Sequence, residues 1–147
     1  MVRILLGWIA AVLVSAVTGS FVQSQRAISS IESIHAPVAF GDKMKMYGHD
    51  LVHFAPTWAA IVAFAFLIAF LVAGWLGRRW PSYRTGLFPL AGLSAIVTTL
   101  LVMDAMLPVT AVAAARDGLG VGLLGLSGAL GGAVYVLVAP QLQNGQN

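Results

Sequence analysis

From Gly48 the chain reads GHDLVHFAPTWAAIVAFAFLIAFLVAGWLGRR: a polar head with two histidines, a long apolar run, then two arginines. An apolar run of about 20 residues or more crosses the ~30 Å hydrocarbon layer as a helix. Long apolar runs and short polar breaks alternate along the whole chain. The pattern predicts four spans, at residues 4–22, 51–76, 86–107 and 119–139. The expected fold is all-α: an integral membrane four-helix bundle, up-down-up-down, in one membrane domain covering residues 1–147.

The first apolar run follows Arg3 and resembles a signal peptide, with the small residues Ser15, Ala16, Thr18, Gly19 and Ser20 toward its end. It continues through Phe21 and Val22 without a clean A-x-A site, so an uncleaved first span is expected. Residues 23–50 form the one sizeable polar segment. Within it Ile28, Ile31 and Ile34 recur between serines and Glu32, an amphipathic helical pattern that prolongs the first span until Pro37. Gly41–Asp42 reads as a turn, with Asp42 an N-cap for the second helix.

Pro56 is harmless if that helix begins near Phe54. If the helix begins near Lys43, Pro56 is interior and frees the Val52 carbonyl. Arg78, Arg79, Pro81 and Arg84 make a tight basic hairpin. The third span is expected from Thr85 or Gly86, with Pro89 in its first turn, to Pro108. The fourth ends at Pro140, ahead of a polar tail. Its glycines Gly118, Gly122, Gly125, Gly128 and Gly132 include two small-xxx-small pairs, a spacing that lets membrane helices approach closely.

Composition narrows the class further. The 147 residues are 59% hydrophobic and 9% charged, too little charge for a water-facing surface. Without cysteine there is no disulfide, thiolate metal site or cysteine nucleophile. A net charge of +3, scattered along the chain, argues against nucleic acid. Arginines at span ends mark orientation instead. Arg3, Arg78, Arg79 and Arg84 tie in number with Arg26, Lys43, Lys45 and Arg116, but the compact arginine hairpin carries more weight. Both termini are therefore expected in the cytoplasm, with all five acids and all three histidines outside. Rich use of Ala, Val, Leu and Gly, with arginine over lysine, points to a bacterial inner membrane.

One constellation carries candidate chemistry. His49 and His53, spaced i, i+4, share a helix face. Asp104, in the last turn of the third span, is expected at similar depth. A carboxylate there needs a cation, a donor or a proton, and His49, His53 and Arg116 are the candidates. The favoured reading is structural polar pairing that involves Asp104, Arg116 and Asp50. The sharper reading is a metal: His49, His53 and Asp104 suit zinc, and the same histidines with Met44 and Met46 suit copper. A quinone or lipid headgroup is the third. No phosphate loop or hydrolase triad is present. The expectation is a non-enzymatic accessory or scaffolding protein of the bilayer, packed through its glycine-rich helix against a protein partner or its own copies. The alternative is a membrane ligand-binding protein with its ligand at the outer cluster.

Overall fold

The computed structural model describes residues 2–34, 37–106 and 112–139. The chain is an all-α four-helix bundle of α1 (Val2–Glu32), α2 (Phe40–Arg79), α3 (Arg84–Met106) and α4 (Gly118–Val138). All four helices are long and apolar enough to cross a membrane. Short 3-10 turns at Pro81–Tyr83 and Ala113–Arg116 precede α3 and α4. The helices form a closed ring in which each packs on two neighbours: α1 and α3 both touch α2 and α4. Consecutive helices run antiparallel, as paired residues show. Glu32 meets Lys43 and Ser24 meets Asp50, while Gly77 lies against Arg84 and Gly132 against Phe88.

α1 and α2 exceed their expected spans, whereas α3 and α4 match theirs to within about two residues at each end. At 1.5 Å per residue, the 40-residue α2 is ~60 Å long and the 31-residue α1 ~46 Å, against a ~30 Å hydrocarbon layer. The 23-residue α3 and 21-residue α4 fit that layer closely. So α1 and α2 continue together past the start of α4 as a helical hairpin. The polar segment 23–50 is therefore mostly helix. Gly41 and Asp42 lie inside α2 rather than in a turn. The N-cap position belongs to Ala39, which makes no side-chain cap. Asp42 instead places a carboxylate in the first turn, where the helix dipole favours it. Because α2 starts at Phe40, Pro56 is interior, and the Val52 carbonyl loses its helical donor. Because α3 starts at Arg84, Pro89 lies in its second turn rather than its first. The stops expected at Pro108 and Pro140, and the tail beyond Pro140, lie outside the described residues.

The core follows the helical period. Trp58, Val62, Phe66, Phe70 and Ala73 form the buried stripe of α2. Phe70 stacks on Phe66 at 4.8 Å between ring centroids and meets Tyr135 of α4 at 4.7 Å. Phe88 of α3 closes this aromatic cluster, 4.7 Å from Tyr135. Leucines such as Leu5, Leu71, Leu90 and Leu137 point outward, as a lipid-facing surface allows.

Glycines bring α4 close to its neighbours. Gly125, Gly128 and Gly132 face α3, and Gly131 faces the Ala11 carbonyl of α1. Gly118 and Gly122 have open space around them. The glycine-rich face thus packs largely inside its own chain. A second stripe of small residues was missed in sequence. Gly7, Ala11, Ser15 and Gly19 are all buried on one face of α1, at the same spacing of four. That spacing was legible, but it lay hidden in a uniformly apolar run.

Candidate functional site

The polar residues gather at the end of the bundle that carries the α1–α2 hairpin. His49 and His53 sit one turn apart on α2, as their spacing predicts. Their rings stack at 4.3 Å with 14° between planes, and both are exposed. His53 Nδ1 lies 3.1 Å from the His49 carbonyl oxygen. A carbonyl only accepts, so Nδ1 is the donor in that contact. His49 Nδ1 is 3.8 Å from an Asp50 carboxylate oxygen. The other Asp50 oxygen accepts a 2.8 Å hydrogen bond from the buried hydroxyl of Ser24.

Asp104 stands apart. It is exposed in the last turn of α3, and among the described residues it makes no hydrogen bond or ion pair. Its exposure at a helix end removes the need for a partner, because water or headgroups reach it. Arg116 is likewise exposed and unpaired among the described residues. Met44 is 55% exposed and Met46 half-buried, in the first two turns of α2. Among the described residues, no three His, Asp or Glu side chains converge as a metal centre. The histidine pair alone offers two imidazoles on one face.

The polar contacts that do form clamp helices. Arg26 of α1 pairs with Asp117, the N-cap residue of α4, whose other oxygen accepts the Gly120 amide at 2.8 Å. Lys43 of α2 reaches Glu32 of α1 at 2.8 Å. Its hydrogen bond holds the Glu32 carboxyl below its ordinary pKa, out on the hairpin beyond the apolar run. Tyr47 stacks on Phe21 at 5.2 Å, fastening the same two helices. Of the polar residues singled out in sequence, Asp50 is engaged; the pairing expected between Asp104 and Arg116 does not form among the described residues, and Asp117, next to Arg116, pairs with Arg26. The cap was legible: Asp117 stands directly before the apolar run of the fourth span. Its partner was not, because no local pattern links Arg26 to a residue so distant in sequence.

Asp117→Ala is expected to lower stability by about 1–2 kcal/mol, since it removes both a cap and an ion pair. Asp117→Asn keeps the cap acceptor and should lose roughly half of that. Thermal unfolding in detergent reads the difference. Equal losses would assign the effect to the charge alone.

Comparison with known proteins finds no matching family model, no matching curated protein and no matching solved structure.

Proposed function

We infer that this is a non-enzymatic assembly component of a bacterial cytoplasmic membrane. Its termini lie in the cytoplasm, and its α1–α2 hairpin projects on the outer side. The arginines between α2 and α3 support that orientation by the charge rule for short loops. The observation that carries the reading is the hairpin itself. Two helices continue past the bundle, fastened by Glu32–Lys43 and Phe21–Tyr47. Apolar side chains are exposed along this arm: Phe40 is 79% exposed, and Ile34 and Met44 are exposed as well. Large apolar groups on a projecting, otherwise polar arm suit contact with a partner protein. The glycine-rich helix supplies the frame: Gly125, Gly128 and Gly132 hold α4 on α3, and the open Gly118 and Gly122 remain for an external helix.

The stacked His49–His53 pair favours one second reading, a ligand-binding protein that takes copper or zinc at this end. Native mass and elemental analysis of the detergent-purified protein separate the two. The assembly reading expects a defined oligomer or a co-purifying protein, weakened by Phe40→Ser with Met44→Ser. A monomer without partners, in every mild detergent tried, overturns it. Stoichiometric copper or zinc, lost in His49→Ala with His53→Ala, would put the metal reading in its place.

A further inference from the structure

The α2–α3 interface is the least extensive of the four around the ring. Small residues explain this: Ala65, Ala69 and Ala73 of α2 face Ala91 and Ala95 of α3 across a groove of about 1070 Å³. The groove is lined by apolar side chains apart from Ser94, Thr98 and Thr99. Ser94 and Thr99 return their hydroxyls to their own helix, at 3.1 and 2.8 Å. The lining extends to Leu76 and Leu87, the last groove residues before the α2–α3 hairpin.

The groove mouth opens toward the hairpin that carries three arginines. Arg84 is half-buried, its stem packed beside Gly77 and its guanidinium 5.9 Å from the centroid of the Phe88 ring. Arg78 and Arg79 close α2 and are exposed. Among the described residues none of the three makes an ion pair. All five Asp and Glu side chains belong to the opposite end of the bundle, so no acidic side chain among the described residues neutralises these arginines. Trp75, Trp80 and Tyr83 are exposed around the same mouth, as aromatic side chains are at headgroup level.

We propose that this groove and the arginine hairpin form one site for an anionic phospholipid, its phosphate on Arg78, Arg79 and Arg84 and an acyl chain between α2 and α3. The fit is one of charge and length. Basic residues at headgroup level beside a gap between spanning helices recognise anionic headgroups. The groove lining runs from Leu76 to Ala60 on α2 and from Leu87 to Met103 on α3, about 24 Å of helix, longer than the ~15 Å that a chain from one leaflet reaches. A second copy of the protein fits poorly. A two-fold axis along the membrane normal would bring the two arginine hairpins face to face, and like charges repel.

The test uses the full chain purified in mild detergent, then offered phosphatidylglycerol or phosphatidylcholine with matched chains. Native mass spectrometry counts the retained lipid. The expected result is a one-to-one phosphatidylglycerol adduct, preferred on the order of tenfold over phosphatidylcholine. Arg78→Gln with Arg79→Gln and Arg84→Gln should bring the preference close to parity. Ala91→Phe leaves every charge in place but fills the groove, and it should reduce phosphatidylglycerol retention. Circular dichroism confirms that each variant keeps its helices. Equal retention of both lipids, an adduct that survives Ala91→Phe, displacement by inorganic phosphate, or a dimer that covers the groove would each overturn the proposal.

Discussion

Gly128→Ala should drive α3 and α4 apart and lower stability by about 3 kcal/mol, near the upper end for overpacking. The added methyl would lie 2.3 Å from the Gly92 carbonyl oxygen and 2.6 Å from Ile96 Cγ1. The relation is reciprocal: a Cβ on Gly92 would lie 2.1 Å from the Gly128 oxygen. One turn on, a Cβ on Gly132 would lie 2.2 Å from the Phe88 oxygen. A backbone oxygen cannot rotate aside as a side chain does, so the whole helix has to move. Between membrane helices that movement is costly, because close packing rather than burial from water holds them. Short approaches of this kind also favour Cα–H···O contacts, which separation removes. Gly122→Ala is the control. No atom of another helix lies within 4 Å of a Cβ built there, and alanine improves helix propensity, so the change should be neutral or stabilising by up to about 1 kcal/mol. Unfolding of the two variants in mixed detergent micelles decides. Equal behaviour would mean that α3 and α4 do not meet backbone to backbone.

That contrast marks what the residue pattern can and cannot disclose. Small-xxx-small spacing announced that α4 packs closely, but Gly118 carries the same signal as Gly128 and meets nothing. Which glycine is used depends on where α3 crosses, and the crossing is a property of the ring of four helices, not of one segment. Apolar runs located all four helices because the bilayer demands them. They underestimated α2, whose polar first turns carry no apolar signal, whereas the Ile28, Ile31 and Ile34 pattern had already prolonged α1 past Gln23. At the hairpin end the histidine pair followed from spacing alone. Asp104 interrupts an apolar run, a pattern that predicts a partner, yet its position at an exposed helix end lets solvent or headgroups serve it. The clamps that do hold this end, Ser24–Asp50 and Arg26–Asp117, join residues that only the folded chain brings together.

Trp58 is the other residue whose replacement should be severe. It is 1% exposed and stacks on Phe54 at 5.8 Å between centroids. Its indole Nε1 lies over Gly19 of α1: a Cβ there would sit 2.5 Å from Nε1 and 3.1 Å from Cδ1. Trp58→Ala should cost about 3–4 kcal/mol. In a bilayer the transfer part of that cost shrinks, since lipid is as apolar as the core. The cavity part stays, because the surrounding helices cannot collapse into a space of indole size. Gly19→Ala alone should cost about 1–3 kcal/mol, as the rigid ring is held by Phe54 and cannot swing away. The double variant discriminates between cavity and clash. Once the indole is gone, the new methyl keeps only an ordinary contact with the Ser127 hydroxyl, so Gly19→Ala should then cost nothing or recover part of the loss. The expected coupling is about 1–2 kcal/mol in favour of the pair. Simple additivity of the two losses would mean that α1 and α2 are not fitted together at this point, and that the tight spacing along Gly7, Ala11, Ser15 and Gly19 serves α4 alone.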